Sequence, residues 1–360
     1  MNRAMIIGTG SALPTRVLDN AELERMVETT DEWITSRTGI KTRRIAGAGE
    51  ETSKLATAAA RRALVMAGIT PIELDLILVG TITPDMTMPS CACLVQKELK
   101  ATRAFAFDLN AACSGFLYAL DVADKYIRSD PKLKIMVIGA ETLSTRVDWQ
   151  DRNTCVLFGD GAGACVVTGN HQRHGSDPGE GLGDDAGKDK AEDDQKKETR
   201  PGADEDERGY LGAKLYADGN LWELLHLEGA PGRNPDLSRA DHNSEPSIKM
   251  YGPEVFRHAV RAMADAVDKV LIEQGVSVKQ LCLIIPHQAN IRIIHSLGEH
   301  LALPLEKVYV NVDKYGNTSA ATIPIALDEA NRQGRLAAGD LLLLCSFGGG
   351  FTWGASLIRW

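Results

Sequence analysis

A chain of 360 residues with 44% hydrophobic and 25% charged side chains can bury a substantial core, as two domains or one large double one. No apolar run approaches the roughly 18–20 residues a membrane-spanning helix needs. The net charge of −9 is concentrated: residues 177–208 hold 13 Asp/Glu and 6 Lys/Arg, so the remainder is near −2 and offers no basic stripe for nucleic acid. The first eight residues are too few for a secretory signal and read as a strand, so a cytoplasmic address is expected.

In chain order, apolar runs that end in Gly or turn residues alternate with stretches of helical period. The pattern predicts strands at 5–8, 76–80, 104–109, 134–139 and 156–158, with helices at 52–67, 90–99 and 114–127. The second half predicts helices at 253–274, 291–301 and 321–333 and strands at 281–285, 308–312, 341–345 and 354–358. Such alternation implies α/β layers. Residues 68–78 align with 275–285, 119–121 with 326–328 and 135–139 with 342–346, all at an offset of 207. Three matches at one offset indicate an internal duplication. Between the halves, 175–208 is rich in Gly, Asp, Glu and Lys and cannot bury enough surface to offset its ordering entropy. The expected organisation is a first half at 1–170, an acidic, mostly disordered insertion at 171–210, and a second half at 211–360.

Seven cysteines (Cys91, Cys93, Cys113, Cys155, Cys165, Cys282 and Cys345) form no CxxC pair, and most lie in apolar runs. They read as reduced, buried thiols. Cys91 and Cys93 have no second Cys/His pair at ligand spacing, so no metal site is expected.

Three segments carry chemistry. Cys113 lies in Asn110-Ala111-Ala112-Cys113-Ser114-Gly115, between a predicted strand and a helix; the helix N-terminus should favour thiolate and lower its pKa. His287 lies in Pro286-His287-Gln288-Ala289-Asn290, directly after a strand. Asn317 lies in Tyr315-Gly316-Asn317-Thr318-Ser319-Ala320. Alone, each has an ordinary explanation: a buried thiol, a turn histidine, a turn asparagine that caps a helix. Together, a thiol, an imidazole and a carboxamide among small residues form a constellation for acyl transfer with carbanion chemistry.

These segments closely resemble the β-ketoacyl-acyl carrier protein synthases III, condensing enzymes of the thiolase superfamily. The resemblance runs from about residue 3 to Trp360 apart from the insertion. It implies a thiolase-like fold, two duplicated βα halves in a five-layered α-β-α-β-α sandwich. The implied reaction is a decarboxylating Claisen condensation of a short acyl-CoA, with acetyl-CoA the expected starter, and malonyl-acyl carrier protein. Its products are 3-oxoacyl-acyl carrier protein, CoA and CO2, the initiating step of fatty acid synthesis. By resemblance, Cys113 is acylated, and His287 and Asn317 hold the malonyl thioester carbonyl. Backbone N–H groups of Cys113 and Gly349 form the oxyanion hole. Trp33, Arg37, Arg152 and Asn290 meet coenzyme A, and Arg257 and Arg292 face the carrier protein. Met88 reaches the acyl pocket of a partner subunit in a homodimer. No metal or resident cofactor is implied, and neither nucleic acid nor a membrane is an expected partner. Glu299 and His300 stand where familiar members carry basic residues, and Met88 replaces an aromatic ring. Relatives in secondary metabolism, loading an unusual starter with the same three residues, are the alternative. A degradative thiolase would need a second active cysteine, and Cys345, within an apolar strand, is the sole late candidate.

Overall fold

The computed structural model describes residues 2–170, 208–227 and 247–360. The insertion expected at 171–210 lies outside the described residues up to 207, while Gly209 and Tyr210 open a strand. The chain begins with β1 (Ala4–Ala12) and a small hairpin of β2 (Arg16–Asp19) and β3 (Thr42–Ile45), between which lie α1 (Asn20–Leu23) and α2 (Asp31–Thr38). It continues through α3 (Thr52–Ala67), β4 (Leu76–Gly80), α4 (Cys91–Leu99), β5 (Phe105–Leu109), α5 (Gly115–Ser129), β6 (Lys134–Thr142), α6 (Arg152–Cys155) and β7 (Asp160–Gly169). The second half contains β8 (Gly209–Ala217), the short pair β9 (Leu225–Leu227) and β10 (Ile248–Met250), α7 (Gly252–Gln274) and β11 (Leu281–Pro286). It closes with α8 (Ile291–His300), α9 (Val312–Tyr315), α10 (Thr322–Arg332), β12 (Leu341–Gly348) and β13 (Thr352–Arg359). No described helix is long and apolar enough to cross a membrane.

Two mixed sheets result, ordered β1-β7-β6-β4-β5 and β11-β12-β13-β8. Successive strand residues point to opposite faces, and both faces are covered. Leu76 and Leu78 of β4 face a central core with α5 and α10, while Ile77 and Val79 pack against α3 and α4. In the second sheet Leu342 and Leu344 of β12 face the same centre, and Leu341 and Leu343 pack against α7 and α8. The five layers expected from the resemblance are thus formed.

The offset of 207 recurs in the elements. β6 and β12 start at Lys134 and Leu341, and α5 and α10 at Gly115 and Thr322. The 3-10 turns before those helices, Ala112–Ser114 and Ser319–Ala321, both open on a non-glycine residue at positive φ, 46° at Ala112 and 49° at Ser319.

Two predicted strands are corrected. Residues 156–158 form no strand; Phe158 makes only a bridge to Asn317, and the strand follows at β7. The start of β7, Asp160-Gly161-Ala162-Gly163, is too small in side chain to give a strand signal, yet it is fully buried. Residues 308–312 make one bridge, Val308 to Ile284, before turning into α9. There the Gln288 amide takes the place of a ladder partner, donating to Tyr309 O at 3.1 Å and accepting Asn311 N–H at 2.9 Å.

The layers touch closely enough to demand glycine at one contact. A Cβ on Gly139 would lie 2.1 Å from Ala320 O, backbone that cannot swing aside. Gly139→Ala should therefore lower stability by roughly 2–4 kcal/mol in urea unfolding. Gly219→Ala, where a Cβ meets nothing within 4 Å, should stay within about 0.5 kcal/mol of the parent.

Candidate active site

One cleft, of about 1840 Å³, is lined by Cys113, His287, Asn317 and Gly349 at its floor. Four segments separated by up to 236 positions thus meet, each at the end of a strand or head of a helix. The turn of Cys113 is held by the other half of the molecule. Cys113 O accepts from Ser346 Oγ at 2.9 Å, Ala111 O from Thr352 Oγ1 at 2.7 Å, and Ser114 Oγ donates to Thr352 O at 3.1 Å. A Cβ on Gly348 would lie 2.6 Å from Cys113 N, so β12 approaches the nucleophile's backbone as only glycine permits.

Asn317 is held the opposite way. Its N–H donates to Leu157 O at 2.8 Å, and its carbonyl accepts from Gly159 N at 3.1 Å. The side-chain Oδ1 accepts from Ser319 N–H at 2.9 Å. That bond fixes the amide, so the NH2 group is the end left for a ligand. Asn110 Oδ1 accepts from Ala112 N at 3.3 Å in the equivalent turn.

His287 follows β11 directly and keeps a ladder bond to Cys345 O at 2.8 Å. Its ring is 3% exposed, and Nδ1 lies 2.6 Å from Thr322 Oγ1. Burial drives its pKa down from 6.5 to about 3, so the ring is neutral. Cys113 corrects an expectation: burial, reinforced by the charge of Glu141, pushes the thiol up to about 12, despite the opposing pull of the Ser319 hydroxyl. Desolvation opposes the helix terminus and disfavours thiolate at Cys113.

Three residues here were not singled out from the sequence. Glu141, wholly buried at the end of β6, is pushed up to about 7 by burial. Its Oε2 accepts from Thr81 Oγ1 at 3.1 Å, Thr83 N at 3.1 Å and Thr83 Oγ1 at 2.5 Å. The buried Ser319 hydroxyl faces both Glu141 and Cys113, yet makes no hydrogen bond of good geometry. Thr322 holds His287. The signal for Ser319 was present in the offset of 207, which pairs it with Ala112; a carboxylate inside a strand gave Glu141 no pattern of its own.

Of the remaining expected residues, Trp33, Arg37, Asn290, Arg257 and Arg292 line the cleft, and Arg152 and Met88 do not. Arg37 and Arg152 place their guanidinium carbons 5.0 and 5.2 Å from the centre of the Trp33 ring. Asn290 caps α8, accepting from Arg292 N at 2.9 Å, while its Nδ2 donates to Arg37 O at 3.0 Å. Arg257 pairs with Glu254, and Arg292 lies 5.5 Å over Phe256. His300 Nε2 is 3.5 Å from Asp268 Oδ2. Met88 is 84% exposed, while its neighbours Met86 and Thr87 line the cleft.

The neutral burial of His287 has a measurable cost. Between pH 6.5 and 3 the unfolded chain binds a proton that the folded ring refuses, so this contribution is full above 6.5 and is lost as pH falls towards 3. His287→Ala should lose about 2 kcal/mol less stability than the parent between pH 7 and 5, measured as urea midpoints across pH.

The chain is similar to known proteins along nearly its whole length. Residues 107–179 match the family model described as 3-oxoacyl-[acyl-carrier-protein] synthase III, and 271–360 match the model of its C-terminal part. A β-ketoacyl-[acyl-carrier-protein] synthase III of Desulfotalea psychrophila is 51% identical over 356 residues, covering 99% of both chains. That of Aquifex aeolicus is 48% identical with 99% of both covered. The crystal structure of the Aquifex enzyme superposes with a TM-score of 0.83 over 99% of this chain and all of that one. With sequence, fold and the cysteine, histidine and asparagine segments in agreement, this chain belongs to the 3-oxoacyl-acyl carrier protein synthase III family.

Proposed function

We propose that Cys113, His287 and Asn317 divide between them the two halves of the family's reaction. As a synthase III, the chain is an acyl-transferring condensing enzyme that initiates fatty acid synthesis. The observation that carries the assignment is the convergence of one thiol, one neutral imidazole and one oriented carboxamide on a single cleft.

In the first half-reaction the Cys113 sulfur attacks the carbonyl of an acyl-CoA. The thioester C–S bond breaks, CoA leaves with the proton of the thiol, and acyl-Cys113 remains. N–H groups of Cys113 and Gly349 are assigned to the oxyanion, with Gly349 on the hairpin that clamps the Cys113 turn. In the second, the malonyl thioester loses CO2, and the electrons of the broken C–C bond pass to its carbonyl oxygen. Asn317 Nδ2 and His287 are the donors assigned to that enolate. The carbanion attacks acyl-Cys113, a new C–C bond forms, the C–S bond breaks, and the departing sulfur takes up a proton from solvent. No step is assigned to a metal or resident cofactor, because the thioester and β-carboxylate carry their own activation.

Substrate contacts follow the same reading. Trp33 has the Arg37 and Arg152 guanidinium groups about 5 Å from its ring centre, a set of planar groups on which an adenine ring can stack. Arg257 and Arg292 supply positive charge at the cleft rim for an acidic carrier protein; Glu299 and the paired His300 reduce it nearby. The exposed Met88 suits a role in a partner's acyl pocket, within a cytoplasmic homodimer. Acetyl-CoA is the assigned starter. The secondary-metabolism alternative is not favoured, since relatives of 45–51% identity over nearly the whole chain carry the synthase III name.

Incubation with a ladder of acyl-CoAs, without malonyl-acyl carrier protein, should leave a short acyl group on Cys113 by intact mass and peptide mapping. Labelling solely by long or aromatic acyl groups would contradict the assigned starter. Asn317→Ala should still form acyl-Cys113 but lose about 10²–10³-fold in condensation. Trp33→Ala should raise KM for acyl-CoA roughly tenfold, about 1.4 kcal/mol, with kcat little changed.

A further inference from the structure

The donor role of His287 raises a question of bookkeeping in hydrogen atoms. A neutral imidazole has one N–H, and Nδ1 is already engaged with Thr322 Oγ1 at 2.6 Å. If Nδ1 carried the hydrogen, Nε2 would present a lone pair to the cleft and repel an enolate oxygen. The Thr322 hydroxyl therefore decides which face His287 shows to the substrate.

Two geometric facts favour one arrangement. Ring N–H donors sit about 2.7–3.2 Å from an oxygen acceptor, so a contact of 2.6 Å is short for the ring as donor and leaves the hydroxyl as the donor the distance suits. The competing acceptor for that hydroxyl is Ser319 O, at 3.0 Å. Ser319 O also accepts the Thr322 backbone N–H, so it stays satisfied when the hydroxyl turns to the ring. Both groups are buried, with Thr322 at 2% and His287 at 3% exposure, which leaves bulk water little access to exchange partners.

We propose that Thr322 is a positioning residue that donates its hydroxyl hydrogen to His287 Nδ1 and thereby fixes the Nε2–H tautomer needed for decarboxylation. The inference rests on the reading of His287 as the enolate's donor. It gives a threonine at the head of α10 a function that its place as a first-turn helix residue does not suggest. It also separates the half-reactions: acylation of Cys113 does not draw on this hydrogen, and condensation does.

The test uses the full-length enzyme with Thr322→Val, which keeps the shape, and Thr322→Ser, which keeps the hydroxyl. Thr322→Val should lower condensation kcat at least about tenfold with KM for malonyl-acyl carrier protein little changed. It should acylate Cys113 from acetyl-CoA at close to the parental rate, and Thr322→Ser should recover most of the condensation. Equal loss in both half-reactions, or no recovery with serine, would overturn the proposal in favour of simple packing. Nitrogen NMR of ¹⁵N-histidine-labelled parent enzyme should find His287 protonated on Nε2; protonation on Nδ1 overturns the proposal directly. A His287→Ala control separates the levels. If it decarboxylates malonyl-acyl carrier protein normally, the donor reading itself fails; if it does not while Thr322→Val does, the tautomer proposal alone fails.

Discussion

The site depends on the close packing of two helix-head turns, one from each half. In each, an asparagine Oδ1 receives the N–H two residues on, and that second residue takes a left-handed conformation before the central helix begins. Each turn is then held by backbone and side chains of the opposite half. Ser346 and Gly348 hold the Cys113 turn, and the Asn317 turn is bound by Leu157 and Gly159. Neither turn could hold its reactive group in place from its own half alone. Strained, non-glycine backbone of this kind persists only where its surroundings fix it.

Duplication supplies two equivalent frames and the sequence fills them differently. At the offset of 207, Cys113 corresponds to Ala320, Gly80 to His287 and Asn110 to Asn317. One frame carries the thiol; the other carries the imidazole and carboxamide, with alanine where the thiol would stand. On the proposed reading, a single acyl group is bonded on one side while charge is stabilised from the other. A symmetrical pair of thiols would serve a different reaction.

Burial sets the protonation of the site. The same desolvation that raises the thiol to about 12 and Glu141 to about 7 lowers His287 to about 3. A neutral histidine can act as a donor only through the nitrogen that keeps its hydrogen, which makes the neighbour of Nδ1 as consequential as the ring. Burial thus disfavours a thiolate–imidazolium pair in the cleft.

Much of this was legible in the sequence. Periodicity located α3, β4 and α7 to within a residue because long apolar patterns report burial directly. The fixed offset exposed the duplication, and the three motifs named Cys113, His287 and Asn317. Strands at 156–158 and 308–312 were misread because short apolar runs say nothing of which backbone groups will find a ladder partner. β7 was missed because its small residues are selected by the closeness of a neighbouring layer. The thiol's raised pKa, the meeting of Ser319 with Glu141 and the hold of Thr322 on His287 belong to the tertiary structure alone. Desolvation and hydrogen-bond direction arise between residues far apart in sequence, and no local pattern encodes them.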